Sequence, residues 1–509
     1  MSRGFLKPLA GLLAAAMLLT WPLAWVFRSE VLSHPSREAA SHIWGLWAAL
    51  GDGPLIIETE LLRHPEGLRL VLVDPGNLPA FALGSVLGPA AGYNLVVLCG
   101  VLVAGLGGWL IAERIDGEPW LGALVAMCCP GLLAAASEGT TEDFGVGWVL
   151  VFLALLLRRS WWAIPALTMA WITGPYNGLW ASLIGGSLGL WWLLRDRARA
   201  GRAALVGLGG AVLGGPYFWA VLTQRHHRLP GSGGHPQFGH LPEIIEAQDF
   251  RGDIWHGADL TDAWLPVQLT GGEGDWSHTA YVGLVALVFG VAAVNRRREL
   301  WPFLAGSVVF SVLALGPWLY FGGEVLRVGG EPLLAPAGLL EEAWPELTRF
   351  TRWYRAGSVA ALLLAPLVST WRGRSSLLVA ALVVADTLIL APMPWPLVSA
   401  PMPSVEGLEG EGALMEVPPF IVGEPEGDAW RDQNVLAQTL HGRPIAGSMM
   451  GLGPAPEAGP LFRAAEVGDF TGLSEGGYTS VVVWKRLTDR RLSLSPVYED
   501  DEKSVYEVP

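Results

Sequence analysis

Long apolar runs joined by short arginine-bearing turns constrain this chain more than any other feature. They fall near residues 5–26, 92–112, 119–136, 144–157, 161–175, 177–194, 203–222, 279–295, 301–318, 357–371 and 376–393. A hydrocarbon core of roughly 30 Å takes about 20 helical residues to cross. It supplies no water to backbone amides, so runs of this kind must be helical. The expected fold class is therefore mainly α, a polytopic transmembrane helical bundle of about eleven spans. The runs near 144–157 and 161–175 are short, which fits tilted or partly re-entrant segments. Only 16% of the residues are charged and 51% are hydrophobic, whereas an ordinary soluble domain is about 25% charged.

The first run, Phe5 to Val26, follows Arg3 and Lys7. It is longer than the ~7–15 residue core of a signal peptide, and no small-x-small cleavage site appears in Phe27-Arg28-Ser29-Glu30. It is expected to be a retained first span. Cys99, Cys128 and Cys129 all lie in apolar runs, so no disulfide is expected to staple an external loop.

With the N-terminus cytoplasmic, alternation places Arg114, Arg158-Arg159, Arg195, Arg197, Arg199, Arg202, Arg296-Arg297-Arg298, Arg372 and Arg374 on one side. That is the positive-inside pattern, and it gives the orientation. The net charge of −14 then belongs mostly to the external face. The expected location is a bacterial inner membrane, with the C-terminal region periplasmic.

On this reading residues 1–393 form a membrane domain with long external loops at 27–91, 223–278 and 319–356. Residues 394–403 are a stiff proline-rich linker. Residues 404–509 are a small external α/β domain, with strands at 413–422 and 478–484, a helix at 430–440 and a hairpin at 495–508 around Asp500-Asp501. In the first loop, the block 38–50 places Ala39, Ile43, Leu46, Trp47 and Leu50 near one helical face, as in a helix lying on a membrane surface.

Several stretches resemble bacterial membrane proteins of the glycosyltransferase C superfamily. They are Leu87-Gly88-Pro89-Ala90-Ala91-Gly92-Tyr93-Asn94-Leu95, the glycine-rich second span ending Ala112-Glu113-Arg114, Leu313-Ala314-Leu315-Gly316-Pro317 and Arg349-Phe350-Thr351-Arg352-Trp353-Tyr354-Arg355. The tail is similar to the external domain of uncharacterised relatives in Met415-Glu416-Val417-Pro418, His441-Gly442-Arg443-Pro444-Ile445 and Val497–Val508. The resemblance implies transfer of a sugar from a polyprenyl-phosphate donor to an envelope glycan, lipid or protein on the external face. It implies an acidic base in the first external loop, with cations or a divalent metal stabilising the departing phosphate. No organic cofactor and no nucleic-acid partner is expected; membrane lipids are.

No aspartate follows directly on the first span. Glu30 is the nearest acid, then Glu38, and Ser41-His42 stand where related chains often carry an acid. Glu38 and His42, spaced i,i+4, are the preferred acid–base couple. Glu58, Glu60 and Asp74 are the other first-loop candidates, Asp74 doubling as a turn residue in Asp-Pro-Gly. Glu138, Glu142 and Asp143 cluster at the mouth of two spans, where a metal or polar substrate could bind. Arg349, Arg352 and Arg355 recur every three residues and suit phosphate binding if helical. The histidines of 223–278 match no compact zinc spacing, and that loop is expected to fold over substrate. Asp386 lies inside a span, where a carboxylate either has a function or forms a helix-to-helix hydrogen bond. The alternative functions are a catalytically inactive relative acting as an envelope scaffold, or a lipid or solute transporter. Nearly charge-free spans disfavour the latter.

Overall fold

The computed structural model describes residues 3–34, 38–224, 257–261, 280–322, 324–344, 347, 352–417, 425–447, 458–485, 492 and 494–509. The first helices are α1 (Arg3–Leu19), α2 (Leu23–Val26), α3 (Ala39–Asp52), α4 (Leu78–Ser85), α5 (Pro89–Arg114), α6 (Pro119–Met127) and α7 (Pro130–Glu138). Then come α8 (Gly147–Leu157), α9 (Ala163–Thr173), α10 (Pro175–Arg195), α11 (Arg197–Gln224), α12 (Leu284–Arg296) and α13 (Trp301–Ala314). The last are α14 (Pro336–Ala343), α15 (Ala356–Leu362), α16 (Ala365–Val368), α17 (Arg374–Leu390), α18 (Pro425–His441) and α19 (Ala458–Glu466). Every apolar run thus contains helix. Among the described residues three stretches, Pro89–Arg114, Pro119–Glu138 and Arg197–Ala220, are long and apolar enough to cross a membrane; Ala10–Leu19, Ala163–Thr173, Leu284–Arg296 and Trp353–Val368 are shorter apolar helices.

Proline decides where several runs break. It occupies the first turn of α6, α7, α10, α13, α14 and α16, where its missing N–H has no intrahelical partner to lose and its fixed φ suits helix entry. Pro130 therefore divides one apolar run into α6 and α7, and Gly174-Pro175 separates α9 from α10.

The chain divides into two compact units. The first comprises Met1–Trp25, Leu95–Trp219 and Gly234–Val398, and the second Val26–Asn94, Ala220–Gly233 and Ser399–Pro509. In the first unit the helices are tied by few polar contacts. Asp386 of α17 accepts hydrogen bonds from the Tyr281 hydroxyl at 2.7 Å and from the Val285 amide at 3.2 Å. Its carboxylate therefore joins α17 to the first turn of α12, where free amides favour an acid. The helix-to-helix account explains this residue in full.

The second unit joins the 26–94 segment to the tail. Strand β1 (Glu30–Val31) is followed by the hairpin β2 (Ile56–Thr59) and β3 (Leu68–Val71). In the first unit two short pairs form, β4 (Tyr320–Phe321) with β5 (Glu324–Val325) and β6 (Arg327–Val328) with β7 (Glu331–Pro332). Strand β8 (Ala400–Pro401) pairs antiparallel with β1. The tail sheet has β9 (Ala413–Val417), β10 (Tyr478–Trp484), β11 (Tyr498–Glu499) and β12 (Lys503–Glu507) in the order β11-β12-β10-β9, with only β9–β10 parallel. These strands and α18 lie where the alternation of the tail sequence predicts them; residues 418–422 of the first predicted strand lie outside the described residues.

Side chains in the resembling motifs hold this unit together. Asn94 accepts from the Leu32 amide at 3.0 Å and donates to the Phe27 and Glu30 carbonyls, fixing the chain as it leaves the first apolar run. Gly92 lies under Phe81, where an added Cβ would sit 2.9 Å from the ring, so α4 and α5 can fold closely together. Arg443 is buried, and its guanidinium donates to the Leu408 and Gly412 carbonyls and to the Thr479 and Ser480 hydroxyls.

Helix α3 departs from expectation. It is enclosed by protein: Ser41, His42, Ile43, Trp44 and Leu46 are all buried, and α3 packs on α18 of the tail. Trp44 Nε1 donates to Gln438 Oε1 at 2.7 Å, and Gln438 Nε2 donates to the Leu61 and Arg443 carbonyls. The helix expected to lie on a membrane surface is instead buried on its Ser41-His42 side as well. The spacing that marks a membrane-surface helix also suits packing on another helix, and α18 supplies that helix.

Trp44→Ala should destabilise this unit by about 3–5 kcal/mol, the usual cost of truncating a buried aromatic. Trp44→Phe should cost about 1–3 kcal/mol, since it leaves Gln438 Oε1 without its donor. Thermal unfolding of the purified protein, with protease sensitivity of the 404–509 region, measures both.

Candidate active site

Glu142, Asp143 and Arg355 of the first unit meet where the backbone leaves regular helix. After α7 ends at Glu138, Gly139 takes a left-handed φ of 84° and turns the chain into a short 3-10 segment, Thr141–Val146. This carries Glu142 and Asp143. Gly174, between α9 and α10, passes so close that an added Cβ would lie 2.5 Å from the Glu142 carbonyl oxygen. Asn177 Nδ2 donates to that same carbonyl at 2.7 Å. A second 3-10 segment, Trp353–Arg355, enters α15, and the Arg352 amide preceding it donates to the Tyr176 hydroxyl at 3.0 Å.

These turns bring Arg355 between two carboxylates. Its Nη2 lies 2.8 Å from Glu142 Oε1 and its Nε 3.1 Å from Asp143 Oδ1, with the guanidinium side chain only 4% exposed. The guanidinium carbon sits 4.8 Å from the Tyr176 ring centroid, a cation–π distance. Glu138, also buried, closes the preceding helix.

An aromatic wall adjoins the cluster. Trp180 packs 5.8 Å from both Phe310 and Trp353 and 6.4 Å from Tyr176. Trp353 Nε1 donates to Glu341 Oε1 at 2.7 Å. Burial pushes the Glu341 carboxyl up to about 7, although that hydrogen bond favours its ionised form.

The structure thus unites Glu142, Asp143 and Arg355, residues of two sequence-predicted groups. The arginine triplet does not form the expected helical face. Arg349 lies outside the described residues, Arg352 has φ −116° and ψ 61°, and Arg355 is turned into the carboxylates. A buried guanidinium needs counter-charge more than it needs helical register. Tyr176, Asn177 and Glu341 were not singled out by the sequence. The polar Tyr-Asn pair between two apolar runs was the available signal for the first two; Glu341 reads only as the polar side of an amphipathic stretch.

The first-loop acids differ in their surroundings. Glu38 is half exposed and lies 3.7 Å from the buried His42 imidazole. Glu58 faces Arg69 across the β2–β3 hairpin at 3.0 Å, both side chains exposed. Glu60 is exposed just past that strand. Asp74 is buried in a turn, accepting from Asn77 Nδ2 at 3.0 Å. Glu30 binds the Ser399 hydroxyl beside the β1–β8 pair.

A divalent metal does not fit the donor set. No group of three or more histidine, cysteine or acidic residues is placed to hold one among the described residues, and Arg355 already takes one oxygen each of Glu142 and Asp143. The histidines between 226 and 256, and His278, lie outside the described residues.

No protein-family model matches the sequence, and no curated protein matches it. Solved structures of membrane glycosyltransferases are similar. The arabinofuranosyltransferase AftD from Mycobacteria aligns with a TM-score of 0.49 and 16% identity over 95% of this chain. The chain spans 35% of that protein's length. ArnT from Cupriavidus metallidurans bound to undecaprenyl phosphate aligns with a TM-score of 0.45 and 14% identity, covering 100% of this chain and 99% of that one. The oligosaccharyltransferase AglB from Archaeoglobus fulgidus, in complex with an inhibitory peptide and a dolichol-phosphate, gives 0.47 and 12%, covering 95% and 70%. These are likenesses in the course of the chain; the chemistry of the site follows from its own residues.

Arg355→Ala should destabilise the protein by about 3–5 kcal/mol, because it removes the buried cation that Glu142 and Asp143 face. Arg355→Lys should cost less, keeping the charge but not the two-pronged contact. Unfolding midpoints in detergent check this. Glu341 gives a pH effect. The unfolded chain releases this proton in the ordinary glutamate range, near 4.3, and the folded chain holds it to about 7. Stability should therefore fall as pH rises through that window, and Glu341→Gln should flatten the fall.

Proposed function

We propose that this chain is a membrane glycosyltransferase of the glycosyltransferase C type, moving a sugar from a polyprenyl-phosphate donor to an envelope acceptor on the external face. The observation that carries this reading is the buried Arg355–Glu142–Asp143 cluster beneath an aromatic wall, set among helices otherwise almost free of charge. Ion-coupled transport would place charges along the spans, and the buried carboxylate of Asp386 is occupied by Tyr281 and α12.

In the transfer, an acceptor hydroxyl oxygen forms a bond to the anomeric carbon of the sugar. The bond from that carbon to the carrier phosphate breaks, and its electron pair leaves with the phosphate. A carboxylate takes the acceptor proton. Asp143 or Glu142 serves here, oriented by Arg355. Glu38, with His42 beside it, is the first-loop alternative for the proton. Arg352 supplies cationic charge toward the departing phosphate. The eleven-span topology, a cytoplasmic N-terminus, a periplasmic tail and an inner-membrane location belong to the same proposal, supported by the one-sided arginine turns.

The test offers the purified protein, in vesicles, a panel of polyprenyl-phosphate-linked sugars, and follows sugar loss from the lipid. Carrier binding is followed by native mass spectrometry. Wild type should bind the carrier and consume at least one donor. Asp143→Asn or Glu142→Gln should lower turnover by about 10²–10⁴-fold, the range of a general base, with Arg352→Ala weakening carrier binding. Should Glu38→Gln alone remove turnover, the proton goes to the first loop. Folded wild type that binds no carrier and consumes no donor would end the transferase reading.

A further inference from the structure

A cavity of about 950 Å³ lies between α10 and α11, with Phe152 of α8 and Leu167 and Trp171 of α9 on its floor. Its size sits toward the upper end of the ~300–1,000 Å³ found for small-molecule pockets. The two helices approach most closely near their turn, where a Cβ built on Gly189 would meet Ala203 at 3.8 Å. Farther along, α11 leans on α9 instead: Gly209 meets Ile164, Gly210 meets Leu167, and Phe218 packs edge-on against Trp171 at 5.3 Å. The result is a groove with walls on three sides. Glycines make it deep. Side chains built at Gly186, Gly207 and Gly215 would enter open space, with no heavy atom within 4 Å.

One end of the groove is basic. Arg197 lines it and, among the described residues, has no carboxylate partner. The adjoining turns, 158–159 and 195–202, hold six arginines and one aspartate, and one of the six, Arg158, is paired with Glu113 at 2.6 Å. Asp196 is held by Arg199 at 2.8 Å, with Arg159 at 3.9 Å. Arg195 lies over Trp191 and Arg202 over Trp161, as expected where aromatic residues mark a membrane–water boundary. α11 is one of the helices able to cross a membrane, and most of its surface is not covered by this protein. An apolar groove at that depth cannot be filled favourably by water, and left void it forfeits dispersion contacts along its whole lining. Its contents must therefore be hydrocarbon, and the charge at its mouth selects what that hydrocarbon is attached to.

We infer that this groove binds an anionic phospholipid, with acyl chains between α10 and α11 and the phosphate-bearing headgroup at Arg197. This site is separate from the Arg355 cluster and does not depend on the function proposed for it. Phosphate and guanidinium match in charge and geometry, and the surplus of arginine over aspartate at this end favours an anionic headgroup over a zwitterionic one.

The experiment reconstitutes the full chain in vesicles of phosphatidylcholine with or without phosphatidylglycerol. Lipid retained after detergent extraction is counted by native mass spectrometry. Wild type should retain phosphatidylglycerol in preference to phosphatidylcholine. Arg197→Gln should weaken that preference about fivefold, the effect of one arginine at an anionic lipid surface. Gly207→Leu, which fills the groove without a clash, should remove retained lipid of either headgroup while leaving the unfolding midpoint near that of wild type. Three results would overturn the inference. They are equal retention of the two lipids by wild type, unchanged retention in Gly207→Leu, or cross-linking from a cysteine at position 207 to residues 225–279 of the same chain, which would make that segment the occupant.

Discussion

A guanidinium withdrawn from water must have its charge answered by protein, and the core of the first unit is arranged around that requirement. Arg355 is nearly inaccessible and meets both Glu142 and Asp143. Supplying those two carboxylates takes irregular backbone, because consecutive residues of a regular helix point in different directions. The chain leaves helix at Thr141–Val146, at Gly174 and at Trp353–Arg355. Each break exposes polar backbone, and each is answered locally: Asn177 donates to the Glu142 carbonyl and the Arg352 amide donates to Tyr176. Irregular backbone is tolerated beside apolar helices only when it is buried in protein in this way. The same breaks that satisfy the arginine therefore concentrate polar groups in one place, which is what chemistry there would need.

In the second unit the equivalent role falls to an uncharged side chain. Gln438 is fully buried and touches three separate segments: it accepts from Trp44, 394 positions earlier in the chain, and donates to the carbonyls of Leu61 and Arg443. Nearby backbone continues the attachment, with the Ile445 amide donating to the Leu61 carbonyl and the Arg63 amide to the Gly447 carbonyl. The first loop is thus part of the tail's folded structure. Its acids take their immediate partners from the loop itself: Glu58 is ion-paired with Arg69 on a hairpin surface, Asp74 is held by Asn77 in a turn, and Glu38 keeps an open side beside His42.

Both the sequence motifs and their departures acquire physical reasons. The Gly92-Tyr93-Asn94 stretch combines a close helix crossing with two side chains that reach back to the residues leaving the first apolar run. His441-Gly442-Arg443 ends α18 and sends an arginine to stitch the 408–412 loop to β10. These residues are scaffolding, which explains why none of them reads as a catalytic signature. The arginine triplet is the opposite case: its three-residue spacing suggested one helical face, but Arg352 lies outside helical backbone and Arg355 turns into Glu142 and Asp143.

The sequence by itself determined the membrane class, the placement of helices in the apolar runs, the strands of the tail and the proline positions at which runs divide. Hydropathy and backbone chemistry act locally, so a window of residues contains the answer. Glu142, Asp143 and Arg355 were legible as charged residues beside spans, and so as candidates, but their union was not. An ion pair over a separation of 213 positions depends on which helices pack together, and no local window holds that information. The same limit applied to α3, whose apolar periodicity fits a bilayer surface or a partner helix equally well. Tertiary structure made that choice by placing α18 against it, because Trp44 and Gln438 satisfy each other there and lipid could not have supplied the hydrogen bond.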